Sequence, residues 1–149
     1  YICVVIDLYA RLVIGYKIGN KNSTQLVKST FKLAYEQRQP QFPLLFHTDR
    51  GSNYRSNAFC AYLQSLGVTQ SFSRAHIPYD NSVMESFFAS MKREELYRTK
   101  YRSEQELRAA VADYIKFYNE TRPHAKNGYK TPFKKEQEYY VNSKQNEKK

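Results

Sequence analysis

Acidic residues are in short supply in this chain. Asp and Glu number 14 against 24 Lys and Arg, leaving a formal charge of +10 and a pI near 9.6. An excess of this size suits a polyanion, whose released counterions drive binding that weakens with salt. Cysteine is scarcer still, with only Cys3 and Cys60, both in apolar surroundings and neither at metal-ligand spacing. That excludes a disulfide framework and leaves two buried free thiols as the expectation for a reducing compartment. Long apolar runs are missing too. The longest, Ile2 to Ile6, falls far short of a membrane span, and no secretory signal or basic amphipathic helix is visible. The partner these absences leave standing is nucleic acid rather than a membrane, in the cytoplasm.

There is no internal repeat. With 149 residues, 41% of them apolar and 26% charged, the chain reads as one globular domain able to bury a core. It has no initiator Met and opens inside a β-rich stretch, so it is read as part of a longer polypeptide.

Residues 1–19 are dense in Val, Ile and Tyr, with a break at Asp7-Leu8-Tyr9-Ala10-Arg11, which predicts a hairpin. Asn22 or Ser23 begins a helix to about Gln37, and Pro40 and Pro43 bracket the link to a strand at 44–48. A helix from about Asn57 to Leu66 stops at Gly67, followed by a strand at 68–72 and a loop from Ser73 to Tyr79. At 100° per residue the next helix, about 81–97, buries Val83, Met84, Phe87, Phe88 and Met91, with Asn81, Glu85 and Lys92 beside that face. Ser103 and Glu106 form a capping box for a last long helix ending at Thr121-Arg122-Pro123. Residues 1–133 are thus the folded core, and 134–149 read as a polar, fraying tail.

Two carboxylates stand out. Asp49 follows an apolar strand, and Glu85 lies on a helix thirty-five residues further along. A strand end and a helix are a common pair of supports for divalent cations in phosphoryl transfer. Taken alone, Thr48-Asp49-Arg50-Gly51 is also a good turn, and Glu85 could be a solvated shoulder residue. His47 shares a face with Asp49 and reads as a satisfied core histidine, while His76 and His124 lack companions at zinc spacing. Aromatics interleave with cations at Tyr97-Arg98-Thr99-Lys100-Tyr101-Arg102, a pattern that suits phosphate contacts with stacking.

The segments His47-Thr48-Asp49-Arg50-Gly51-Ser52-Asn53-Tyr54 and Tyr79-Asp80-Asn81-Ser82-Val83-Met84-Glu85-Ser86-Phe87-Phe88 continue into Lys92-Arg93-Glu94-Glu95-Leu96. Together they resemble the integrase catalytic core of bacterial insertion-sequence DDE transposases, relatives of retroviral integrases. Val5-Ile6-Asp7-Leu8-Tyr9, Tyr118-Asn119, Arg122-Pro123-His124 and Gly128-Tyr129 extend the likeness to about residue 133, although Ala125-Lys126-Asn127 departs from the family pattern.

The resemblance implies an α/β, ribonuclease-H-like fold, with a mixed five-stranded sheet flanked by helices. It implies a polynucleotidyl transferase that cleaves and joins DNA with two Mg²⁺ or Mn²⁺ ions held by Asp49, Glu85 and a further Asp. That third residue is expected on a strand upstream of Tyr1, so the first strand is expected to be missing here and the chain alone to be inactive. Asp7 is expected to serve the turn instead. Lys92, Asn81, Arg93, Arg98, Lys100 and Arg102 are the expected DNA contacts. Transposon ends and target DNA are the implied partners, within a homo-oligomer associated with the bacterial nucleoid. The alternatives are a non-catalytic DNA-binding remnant and a ribonuclease-H-like nuclease that only hydrolyses.

Overall fold

The computed structural model describes residues 1–41, 43–74 and 81–146. The latter part of the loop expected up to Tyr79, with His76, lies outside the described residues, as does Asp80. The chain divides into one unit of Tyr1–Val5 with Ile14–Glu85 and another of Ile6–Val13 with Ser86–Lys149. Among the described residues no helix is long and apolar enough to cross a membrane.

β1 (Ile2–Ile6) and β2 (Val13–Ile18) form the expected hairpin. In the first unit, α1 (Thr24–Arg38) starts where Ser23 Oγ accepts the Leu26 N–H at 3.2 Å. Helix α1 and β2 approach closely: a Cβ at Gly15 would lie 2.9 Å from the Ala34 Cβ, so only glycine fits there. β3 (Leu45–Thr48) runs parallel to β4 (Thr69–Phe72), with His47 opposite Ser71. Helix α2 (Asn57–Ser65) makes the crossover that a parallel pair requires. It is capped by Ser56 and released by Gly67 at φ 68°. Val27, Phe31, Phe59, Leu63 and Val68 form the core of this unit, with Phe46 set edge-on to Phe31 at 4.7 Å.

The five-stranded sheet that the resemblance implies is not what the described residues form. They supply four strands in two separate pairs, β1–β2 and β3–β4. One edge of each strand therefore meets no other strand, because no described segment lies in register to bridge the two pairs.

In the second unit, α3 (Ser82–Met91), which begins in the first unit, runs on into a π-turn over Lys92–Leu96. The sequence pattern predicts one unbroken helix there, but the last turn is widened, with the Tyr97 N–H donating to Lys92 O five residues back. α4 (Glu104–Glu120) is capped by Ser103, and the Glu106 carboxylate accepts the Arg102 N–H at 2.7 Å. Phe87, Met91, Val111, Tyr114, Ile115 and Tyr118 are buried, with Phe87 and Tyr118 perpendicular at 4.9 Å. A 3₁₀ turn over Ala125–Asn127 leads to α5 (Pro132–Asn146).

Helix α5 takes in residues 134–146 of the segment that reads as a polar tail. Pro132 opens it with a pre-set φ, and Thr131 Oγ1 accepts the Lys134 N–H at 3.2 Å. Lys130 pairs with Glu138, and Tyr139 packs edge-on to Tyr9 at 5.1 Å. Local capping and one aromatic contact outweigh the polar composition.

Candidate active site

Asp49 leaves the carboxyl end of β3, beside the end of its parallel partner, where open α/β sheets present ligand-binding groups. Its approach is fixed by His47. The two imidazole nitrogens meet Ser71 Oγ at 2.6 Å and Ser73 Oγ at 3.1 Å, while Arg50 Nε donates to Ser73 O at 3.0 Å. His47 is thus satisfied on both sides and ties β3 to β4. Beyond Asp49 the chain turns sharply, and Asp49 Oδ1 accepts the Gly51 N–H at 2.8 Å. A Cβ at Gly51 would sit 2.9 Å from that same oxygen, so a larger residue there would displace the Asp49 carboxylate. Asn53 anchors the loop to the start of α1, donating to Asn22 Oδ1 at 2.8 Å. Burial, helped by the nearby Cys3 and by the charge of Asp49, pushes the Tyr54 hydroxyl pKa upward.

The other Asp49 oxygen accepts no hydrogen bond among the described residues, and the side chain is exposed. Glu85 behaves alike. It lies exposed in the first turn of α3, where the helix dipole favours a carboxylate, and bonds to no described group. Asn81 immediately precedes α3 and is half-buried. No group of three or more His, Cys, Asp or Glu side chains gathers at metal-binding range among the described residues. The donor chemistry nonetheless fits a hard cation: free, solvent-facing carboxylate oxygens are what Mg²⁺ takes while keeping its waters. Asp7 is different. Its Oδ2 accepts the Ala10 N–H at 2.7 Å and its own N–H donates to Leu12 O at 2.8 Å, so its carboxylate serves the hairpin turn.

The expected DNA contacts divide in the same way. Lys92, Lys100 and Arg102 are exposed, with side chains that pair with no described group. Arg93 reaches Glu94 at 3.6 Å, and Arg98 Nε donates to Arg93 O at 3.0 Å.

One cluster has no counterpart among the residues singled out from the sequence. Arg122 grips Glu94 with two nitrogens, Nε to Oε2 at 2.9 Å and Nη2 to Oε1 at 2.8 Å. Tyr114 OH donates to the same Oε2 at 2.9 Å. Both side chains are 24% exposed. The Arg122 hydrogen bonds, aided by Tyr114, hold the Glu94 pKa below the ordinary value. Next to it, burial lowers the pKa of His124, whose Nε2 lies 3.3 Å from Tyr118 O. The signal was available: Glu94 and Arg122 both lie in segments that carry the family resemblance. Nothing local paired them across 28 residues.

Comparison with known proteins bears directly on this arrangement. Residues 1–78 match the integrase core domain family, and residues 66–132 match a second family of the same description. The transposase for insertion sequence element IS904 of Lactococcus lactis subsp. lactis (strain IL1403) is 35% identical over 133 residues, covering 89% of this chain and 53% of that protein. The chain spans about half the length of the curated relatives it matches. In structure it resembles the catalytic core domain of BIV integrase, with a TM-score of 0.68 at 20% identity over 99% of this chain and 90% of the other. The HTLV-2 integrase catalytic core domain, solved in complex with magnesium in a trimeric form, gives 0.65 at 17% identity over 87% and 79%. These likenesses carry the ribonuclease-H-like α/β fold, and the match over residues 1–78 decides the family: this chain belongs to the integrase core domain family.

Proposed function

We propose that this chain is the catalytic core of a bacterial DDE transposase that cleaves DNA and joins its 3′ ends to a target. The observation that carries the reading is a pair of exposed carboxylates with oxygens left open by the described residues, Asp49 at a strand end and Glu85 in a helix's first turn. Asp49 gives one oxygen to the Gly51 N–H of its own turn and keeps the other open, while Glu85 bonds to no described group. Asp49 and Glu85 would hold two Mg²⁺ or Mn²⁺ ions, which together activate the attacking oxygen and stabilise the leaving one.

The chain's own residues supply the setting. The Gly51 N–H fixes one oxygen of Asp49 and leaves the other facing outward. Lys92, Lys100 and Arg102 offer uncommitted cations to DNA phosphates, Arg93 and Arg98 partly committed ones, and Asn81 an amide. Asp7 is read as a turn residue rather than the third acidic ligand, a reading that its bond to the Ala10 N–H supports. The 149 residues alone therefore lack a full triad and are expected to bind DNA without joining it. Transposon ends and target DNA are the substrates, and the complete protein acts as a homo-oligomer in the bacterial cytoplasm.

The test uses a protein of the relatives' length that contains this chain. Asp49→Asn and Glu85→Gln keep shape but remove the anionic ligand, so metal-dependent strand joining should fall by orders of magnitude while DNA binding persists. Near-normal joining by either variant overturns the assignment. Hydrolysis without any joining by the unaltered protein would instead identify a nuclease.

A further inference from the structure

Tyr129 is held in a backbone conformation that the turn uses but that strains a bulky side chain. Its φ is 60°, in the left-handed region where a bulky side chain is strained. Two other non-glycine residues among those described share a positive φ, and each has an evident use. Gln39 caps α1, its N–H donating to Tyr35 O, and Arg11 lies in the hairpin turn that Asp7 closes. Tyr129 follows Gly128, which already takes φ 65° to end the 3₁₀ turn. Glycine or asparagine would meet the same backbone need at position 129 with less strain.

The phenol ring offers no compensation. Tyr129 is 76% exposed, and among the described residues it has no aromatic, cationic or hydrogen-bonding partner. The turn beneath it, in contrast, is firmly built. The Tyr129 N–H donates to His124 O at 2.9 Å, and His124 and Lys130 form a bridge. Asn127 is buried, and its Nδ2 donates to Ala10 O at 2.7 Å. A rigid support thus presents a bare aromatic face, with the exposed, unpaired cation of Lys126 on the same turn.

We propose that Tyr129 is a base-stacking residue that receives an unpaired base of the DNA substrate, with Lys126 meeting the adjoining phosphate. Every base has a π-face, so such a contact selects unpaired over paired DNA with little regard to sequence. The ring stands out in solvent, where a base can reach it. This proposal rests on the DNA-joining reading above and adds a site that reading does not use.

The experiment compares a blunt DNA duplex with the same duplex carrying a short single-stranded 3′ extension that contains 2-aminopurine. The unaltered protein should bind the extended probe more tightly and quench its fluorescence. Tyr129→Phe should match it within about twofold. Tyr129→Asn should bind the extended probe about 10-fold more weakly, bind the blunt duplex unchanged, and gain about 2–4 °C in Tm as the strain is released. Equal binding of the extended probe by Tyr129→Asn overturns the stacking role while leaving the DNA-joining reading intact. A lower Tm in that variant also overturns it, because the ring would then be packing within the fold. Loss of self-association in the ultracentrifuge with unchanged DNA binding would assign the ring to a protein contact instead. If the unaltered protein binds neither probe, the proposed function itself falls, and this site with it.

Discussion

Glu85 and Glu94 lie nine residues apart on one continuous helical run, and their circumstances are opposite. Glu85 is exposed and accepts no hydrogen bond from any described residue. Glu94 is mostly covered, gripped by both forks of Arg122 and by the Tyr114 hydroxyl. Both fall within segments that carry the family resemblance, which implies metal binding for Glu85 and gives Glu94 no such role. Their hydrogen bonding differs in the same sense. A carboxylate whose lone pairs are filled by the protein holds the protein together, and one left open has capacity for a metal or substrate.

The sharpest way to break the contrast is to neutralise each acid in turn. Glu85→Gln and Asp49→Asn should lower strand joining by roughly a thousandfold or more. Their unfolding midpoints should stay near the unaltered value, because surface changes away from structural contacts are usually within about 0.5 kcal/mol. A large loss of stability in either variant would mean that the open carboxylates are structural after all.

The opposite signature belongs to Arg122→Met. Stripping the guanidinium from a largely covered carboxylate should cost about 3 kcal/mol in chemical denaturation. Replacing both partners, Glu94→Leu with Arg122→Met, should cost less than Arg122→Met alone, since no orphaned charge remains. An equal or greater cost in the double variant would show that packing, not charge pairing, is what Arg122 supplies.

The same division sorts the cations. Removing Lys92, Lys100 or Arg102, which are uncommitted, should each reduce the slope of log affinity for DNA against log salt by about 1. Arg93→Ala and Arg98→Ala should change it less, because their heads already engage Glu94 and a backbone carbonyl. Equal slopes across all five would erase the distinction.

Acid titration gives a finer reading. Burial keeps His124 below its usual pKa of 6.5, so its charging begins to oppose folding as pH falls through that value. The folded pKa of Glu94 lies below 4.5, mainly because of Arg122, so its contribution is intact above about pH 4.5 and is lost as pH falls through the lower folded value. Thermal melts between pH 7.5 and 3 should show both declines, and Glu94→Gln should lack the lower one. The smallest effect is expected from Asp7→Asn, which keeps an acceptor for the Ala10 N–H and should retain strand joining. Loss of joining with intact folding would restore Asp7 as a metal ligand.

Much of the local structure was legible in the sequence. Ser23, Ser103 and Gly67 mark helix ends through caps that act within a few residues, and the buried faces of α3 and α4 follow from their period. Among the candidate site residues, the sequence could nominate Asp49 and Glu85. Whether their lone pairs are free depends on neighbours that only the fold supplies. The π-turn at Lys92–Leu96 and the pairing of Glu94 with Arg122 were not legible, since widening a helix and closing a 28-residue separation leave no periodic trace. The helical form of the segment from residue 134 was not legible for another reason. Its composition is polar, but its start is set by Thr131 and Pro132 and its hold by Lys130 and Tyr9.

The Asn127–Ala10 hydrogen bond joins residues 117 apart, and Asn119 likewise bonds both backbone groups of Val13 from 106 residues away. On a ribosome, the turn of the first hairpin emerges long before the residues that secure it. At about 5–20 residues per second, the gap between Ala10 and Asn127 lasts roughly 6–23 s. Throughout that interval Leu12, which is buried in the folded protein, lies in a turn that Asn119 and Asn127 do not yet secure, and Tyr9 lacks Tyr139. The nascent chain thus carries an apolar loop that invites chaperones during synthesis, and the pace of translation sets how long it stays exposed.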